Sequence, residues 1–362
     1  MKAYIVDQSA LGENIRILKE KAGETPIYGV IKGNGYGLGL IPMAKALKEG
    51  GIDRFAVTEL NEVQALRENG FETEEILMMR STCLKEELTA LLELNATATV
   101  GSMECARAMA QVAAELETPF PCHVKIDTGM GRYGFHPEEA EEVAQVYQME
   151  NLHVTGIYTH FHSAFSSEKD TRAQFAAFSG LCDALAARDI SVGTRHCCNS
   201  SAFLKCPEMH LDAVRLGSAI LGRLSFPGDM GLKKLGWCES RVELIREIPK
   251  GHSVGYGAAW RAKRPTKIAV CGVGYYHGFG AEHADDIFRF RDCVRGGLHY
   301  VKAFLKRKAL YIQVNGKPAR VLGHIGMVQT ICDVTDIPCQ VGDPIRIEIN
   351  PLMMKDMEVI YR

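Results

Sequence analysis

The chain reads as an α/β protein, a TIM-like (β/α)8 barrel followed by a mainly β C-terminal domain. Three observations predict this. Short β-branched runs alternate with amphipathic stretches up to about residue 220, about eight such units follow one another, and beyond about residue 230 the texture changes to strands separated by turns. With 362 residues, 46% of them hydrophobic, the chain can bury a large core and a second, smaller one.

The strand runs are "IYGVI" from Ile27, "RFAV" from Arg54, "EILMM" from Glu75, "ATATV" from Ala96, "CHVKI" from Cys122, "HVTGIYTH" from His153, "GTRH" from Gly193 and "AVRLG" from Ala213. Between them lie segments such as "GLIPMAKALKEGG", "TELNEVQALRENG", "SMECARAMAQVAAEL" and "PEEAEEVAQVYQ", with apolar residues recurring at three and four. Strands alternating with helices imply parallel pairing, and eight units in roughly 200 residues suit a closed barrel better than an open sheet. Later come "ESRVELIREI", "TKIAVCGVGYY", "ALYIQVNGKPARVLGHI", "QTICDVTD", "PIRIEI" and "EVIYR", with "VNGK" a hairpin turn. The division predicted is residues 1–230 for the barrel and 231–362 for the β domain.

Forty-two Lys and Arg against 44 Asp and Glu give a net charge of −2, mixed along the chain. No basic stripe points to nucleic acid or to a membrane surface, so small molecules and other protein chains are the expected partners. The start, "MKAYIVDQSALGENIR", breaks any apolar signal-peptide core with Asp7, Glu13 and Asn14, and no run of eighteen apolar residues occurs, so a cytoplasmic protein is expected. The twelve cysteines are scattered without a CxxC pair and read as reduced, buried small hydrophobes. "HCCNS" at His196 to Ser200 lacks the second ligand pair of a zinc site, and no metal is expected.

In a barrel of this kind active groups stand at the C-terminal ends of strands. Lys32 and Tyr36 follow the first run, Lys125 and Arg132 of "KIDTGMGRYGF" the fifth, His160 the sixth, Asn199 and Ser200 the seventh, Arg215 and Gly217 the eighth. Singly, each has a plain structural reading: a lysine leaving a strand for water, a core histidine, an ion-paired arginine, a turn in "RLGS". Together they form an anion site beside a reactive amine. Backbone N–H groups near Gly217 and Ser218, with the Ser200 and Tyr36 hydroxyls, can hold a phosphate. Lys32 would then bond covalently to an aldehyde cofactor. The glycines at 33, 35, 37 and 39 let the backbone approach something bulky or turn with positive φ. "GNGYGLG" and "GVGYYHG" do not fit the dinucleotide pattern G-x-G-x-x-G, because Leu38 and His277 occupy the sixth position.

These motifs resemble those of the alanine racemase family, the fold-type III pyridoxal phosphate enzymes. "YGVIKGNGYGLG" is similar to the family's cofactor-lysine motif, and "KIDTGMGRYGF", "GIYTHF", "NSSA", "DAVRLG" and "VGYGAAW" resemble its later motifs in order and separation. The resemblance implies a barrel followed by a β domain that also takes in a strand from the first eight or so residues. It implies pyridoxal 5'-phosphate on Lys32, its phosphate held by Tyr36, Ser200, Gly217 and Ser218, with Asn199 beside it. Arg215 would face the pyridine nitrogen. Arg132 would meet the phenolic oxygen and the substrate carboxylate, oriented by Lys125, which carries a carbamate in many relatives. His160 would support this network, Met327 would touch substrate through its backbone, and Tyr256 would be a second base reaching the neighbouring subunit's cofactor in a homodimer.

Inverting a stereocentre requires groups on both faces of the substrate, and Lys32 and Tyr256 would each act as base in one direction and acid in the other. A phenol is a poor base at neutral pH unless cations favour its anion, and His160 and Arg215 are the expected source of that field. The chain departs from the family's G-R-V-C-M-D-Q at "GHIGMVQ", where His324 and Val328 replace arginine and aspartate. It departs again at "GYYHG", where His277 replaces an acid. Both changes are expected near the substrate entrance. Serine or broader amino-acid racemisation, a pyridoxal phosphate carrier and a decarboxylase are the other functions compatible with these residues.

Overall fold

A computed structural model describes residues 2–281, 290–305 and 309–362. It divides into two compact units, Gln8–Leu235 and the chain up to Asp7 together with Gly236–Arg362. The junction falls five residues beyond the one predicted. Asn14 accounts for this: its carboxamide donates to the carbonyls of Ile220 and Lys233 and accepts the Lys233 N–H at 2.8 Å, tying the approach to Leu235 to the first helix of the barrel unit.

In Gln8–Leu235 eight parallel strands run Ile27–Val30, Arg54–Val57, Ile76–Ser81, Thr97–Val100, Phe120–Lys125, Leu152–Tyr158, Thr194–His196 and Val214–Leu216. Each pairs with the next up to Thr194–His196, and Val214–Leu216 pairs with the first, Ile27 opposite Val214. The remaining seam carries two backbone bonds, Asp212 N–H to Arg195 O at 3.1 Å and Arg215 N–H to Cys198 O at 3.0 Å. The barrel is thus nearly closed, and every predicted run lies on one of its strands. Helices such as Leu40–Glu49, Leu60–Glu68, Met103–Glu115 and Ala140–Tyr147 cover it, burying the residues at helical spacing: Met43, Ala44 and Leu47 in the first of these, Cys105, Ala106, Met109, Val112 and Ala113 in the third.

The second unit is built on the long strand Gly236–Ile248, which pairs antiparallel with Ala3–Val6, Thr266–Cys271 and Pro344–Ile347. Glu358–Tyr361 adds parallel to Ala3–Val6. Tyr311–Val314 and Lys317–Arg320 form the hairpin read from "VNGK", with Asn315 at φ 50° and Gly316 at φ 74°, as a tight primed turn requires. Val242, Cys271, Val314, Cys332, Ile345 and Ile347 make its core. A helix, Phe290–Leu305, interrupts this β unit and was not anticipated. Among the described residues no helix is long and apolar enough to cross a membrane.

Candidate functional site

The strand ends of the barrel unit converge on a cavity of about 370 Å³, lined by Lys32, Tyr36, Lys125, Arg132, His160, Asn199, Ser200, Arg215, Gly217 and Ser218. Ten of the twelve residues singled out from the sequence therefore meet in one place. Four of them are cationic residues, and among the described residues no Asp or Glu side chain lines the cavity. A cation-lined cleft of this kind selects an anion.

Lys32 enters the cavity because the chain behind it turns left-handed. Gly33, Asn34, Gly35 and Tyr36 hold φ of 63°, 54°, 63° and 56° in succession, and Gly37 follows at 84°. Such a turn costs roughly 1–2 kcal/mol per residue bearing a Cβ, so glycine fills its alternate positions. Asn34 is held by both its groups: its N–H donates to Glu62 at 3.1 Å and its side-chain oxygen accepts the Leu40 N–H at 2.8 Å. Burial, and then the charge of Arg132, lower the pKa of Lys32, which favours the uncharged, nucleophilic amine.

Tyr36 swings back to the last strand. A Cβ placed on Gly217 would lie 2.2 Å from its hydroxyl, so this glycine is required by a close approach. Burial raises the Tyr36 pKa to about 12, keeping it a hydrogen donor. The Ser200 hydroxyl oxygen accepts from the N–H groups of Gly217 and Ala219 at 3.1 Å each. Its proton is left to donate. Asn199 is committed differently: its side-chain oxygen caps the helix Ser200–Lys205 through the N–H groups of Ser201 and Ala202, and its NH2 donates to Phe161 O.

On the opposite wall Arg132 is placed by Asp127, a residue that sequence reasoning passed over. The Asp127 carboxylate accepts N–H bonds from Gly129, Gly131 and Arg132 at 2.9, 3.1 and 3.0 Å. Burial alone would raise its pKa, but these three donors hold it below the ordinary value. The signal was present, an aspartate followed by glycines two and four residues on. Lys125, buried at the end of its strand, donates to Ile126 O at 2.6 Å, and burial with the Arg215 charge lowers its pKa to about 7.

Arg215 is fully buried and donates to His196 Nδ1 at 2.7 Å, His196 O at 3.0 Å and Thr159 O at 2.7 Å. His196 was weighed in the sequence only as part of a zinc-ligand cluster in "HCCNS", not as a partner of Arg215. Cys197 and Cys198 instead donate to Met209 O at 3.1 Å each. His160 departs from expectation. Burial and the cations Arg215, Lys125, Lys32 and Arg132 push its pKa well below the ordinary value, so its ring is neutral and the field of the site comes from the guanidinium and ammonium groups.

Tyr256 and Met327 belong to the other unit. Tyr256 is 77% exposed, in a turn between Ser253–Val254 and Trp260–Arg261 whose Gly255, Gly257 and Ala258 have φ of 74°, 63° and 50°. Met327 is 53% exposed, and its carbonyl accepts from Tyr276 N–H at 2.9 Å. His277 is buried: its Nδ1 accepts the Gly274 N–H at 3.1 Å and its Nε2 faces Lys2 Nζ at 2.6 Å. An acceptor is what that tight turn needs, and imidazole supplies it as a carboxylate would. His324 lines a surface cavity of the same unit with Trp260 and Tyr275, and Val328 is exposed.

Comparison with known proteins matches the alanine racemase N-terminal domain over residues 6–225 and the alanine racemase C-terminal domain over residues 237–351. The alanine racemase of Methanococcus maripaludis is 30% identical over 357 residues, covering 94% of this chain and 87% of that protein. That of Desulfovibrio desulfuricans is 31% identical, covering 97% and 90%. Among solved structures, an alanine racemase of Clostridium difficile 630 superposes with a TM-score of 0.83 at 26% identity, covering 98% of this chain and 93% of that one. One from Streptomyces lavendulae reaches 0.85 at 23% identity, a likeness of fold.

Proposed function

The chain belongs to the alanine racemase family, and from that premise we propose that it interconverts L- and D-alanine with pyridoxal 5'-phosphate, using Lys32 and Tyr256 of the partner subunit as its two bases. The observation that carries the proposal is a depressed-pKa amine, Lys32, in a cavity lined by cations and free of carboxylates. The residues present fit the cofactor. Lys32 suits its aldehyde, while the Tyr36 and Ser200 hydroxyls with Gly217 and Ser218 suit its phosphate. Arg132 suits its phenolic oxygen and the substrate carboxylate.

When bound, pyridoxal phosphate accepts into its ring the electron pair left as the substrate loses its α-proton. Lys32 Nζ takes or returns that proton on one face, and the phenolic oxygen of Tyr256 of the partner subunit does so on the other. Arg215 would face the ring nitrogen of the bound cofactor, and because a guanidinium keeps its proton it would leave that nitrogen unprotonated and favour return of the proton to Cα. Its charge, rather than that of His160, favours the phenolate. Met327 borders the substrate through its backbone.

The proposal requires a homodimer in which each site is shared. Mixing Lys32→Ala with Tyr256→Phe under conditions of subunit exchange should restore up to about a quarter of wild-type racemisation, since half the dimers are mixed and each has one intact site. Sites built within single subunits would give no recovery.

Lys125 is the residue suited to carbamylation, because its lowered pKa leaves much of the amine neutral near pH 7. The neutral nitrogen attacks CO2, an N–C bond forms and one proton is released, leaving an anion where Lys125 had a neutral amine. Labelled 13CO2 should give a carbamate resonance that Lys125→Arg lacks; identical spectra would exclude it.

A further inference from the structure

Below Arg215 the barrel interior holds a column of polar rings that the proposed reaction does not touch. His196 Nε2 lies 2.9 Å from His123 Nδ1, His123 Nε2 faces Glu75 Oε1 at 3.7 Å, and the same oxygen accepts the Tyr28 hydroxyl at 2.6 Å. His196 is clamped between two rings, Tyr158 at 4.8 Å and 15° and Tyr28 at 5.3 Å and 23°. Gly156 makes room for His123, since a Cβ there would come within 2.7 Å of its Nε2.

The proton positions in this column follow from its two ends. A guanidinium only donates, so His196 Nδ1 must be the bare nitrogen that accepts from Arg215, and a neutral ring then carries its proton on Nε2. That N–H has one partner, His123 Nδ1, which must accept; His123 therefore carries its proton on Nε2, toward the Glu75 carboxylate. Protonating either ring would set two donors face to face. Burial and neighbouring cations independently keep both rings neutral.

We propose that His123 is a positioning residue for Arg215: by accepting from His196 Nε2–H it imposes the one tautomer of His196 able to receive the guanidinium, with Tyr28, tethered to Glu75, holding that ring in plane. The inference rests on the reading of Arg215 as the partner of the cofactor's ring nitrogen, but its structural half does not. Without the His123 acceptor, His196 can carry its proton on Nδ1, and Arg215 loses its side-chain acceptor and its register.

The test uses 15N-histidine-labelled protein, with and without pyridoxal phosphate, as wild type, His123→Leu and His123→Gln, the last offering a carbonyl where Nδ1 was. Wild type and His123→Gln should show His196 protonated on Nε2, and His123→Leu should show the Nδ1–H form or a mixture. In the loaded enzyme His123→Leu should lower kcat about tenfold or more, leave KM within about twofold, and raise the fraction of turnovers that strand the amino group on the cofactor. His123→Gln should restore all three to near wild type.

An Nδ1-protonated or charged His196 in wild type overturns the inference even if no variant folds. So does a His123→Leu protein with unchanged tautomer and partition. Wild-type protein that shows the expected tautomer but neither binds cofactor nor exchanges the α-proton would sink the proposed function and leave the tautomer assignment standing.

Discussion

Lys32→Ala should retain the fold and lose racemisation by about 10⁴-fold or more, because on the proposed mechanism the substitution removes the covalent anchor and one of the two bases at once. The turn behind residue 32 does not depend on its side chain. It is held by Gly33, Gly35 and Gly37 at positive φ and by Asn34 bonded to Glu62 and Leu40. Circular dichroism and the unfolding midpoint should therefore stay near wild type while chiral chromatography of the product falls to background. Lys32→Arg should be equally inactive, since a guanidinium is too weak a nucleophile at neutral pH to replace the amine. Activity within tenfold of wild type in either variant would remove Lys32 from the chemistry.

The second large effect is on stability in acid. His123 and His196 are fully buried, with the His123 pKa pushed down to about 3 by burial and the Arg215 and Arg54 charges, and that of His196 driven well below the ordinary value. The sign follows directly. A histidine whose folded pKa is depressed binds fewer protons in the folded chain than in the unfolded one, so its contribution is complete above about pH 6.5 and is lost progressively below it. Each such imidazole loses up to about 1.4 kcal/mol per pH unit, a slope only half developed at pH 6.5, so the pair should take about 3 kcal/mol from the barrel unit between pH 6.5 and 5. That is a large share of a typical folding free energy of about 5–15 kcal/mol. His160 acts in the same direction. Urea unfolding at pH 7.5, 6.5, 5.8 and 5 should show the midpoint falling slightly between the first two and steeply after; a flat profile would mean that the column is already open to water and protons.

These two effects also mark where the sequence is legible and where it is not. Lys32, Lys125, His160, Ser200 and Arg215 could be placed because each stands at or just after a β-branched run, and the barrel topology turns that single fact into a shared location. Their helpers could not. His123 and His196 meet across 73 residues, and Arg215 reaches Thr159 across 56, pairings that depend on which side chains face inward once the ring of strands closes. Nothing in the spacing of either histidine distinguishes an inward imidazole from an outward one. The local role of His277 was hidden for a related reason: its ring accepts the Gly274 N–H of a tight turn, a contact that the motif spacing does not announce.

The helix Phe290–Leu305 was missed despite apolar residues at Phe290, Val294, Leu298, Val301 and Leu305, a spacing of four, four, three and four. Gly296 and Gly297 lie in its middle, each costing about 1 kcal/mol against helix, and the strands on either side favoured a β reading. Local pattern and propensity disagreed there, and the pattern prevailed.

The measurement that bears most directly on the account is isotopic. Protein loaded with pyridoxal phosphate is incubated in D2O with L-alanine and separately with D-alanine, and each enantiomer is separated and weighed by mass spectrometry. The account predicts that both incubations reach equal amounts of the two hands with one deuterium at Cα, and that Lys32→Ala and Tyr256→Phe each abolish the inversion. Alanine recovered with its hand unchanged and its α-proton intact, from protein that demonstrably holds the cofactor, would contradict it.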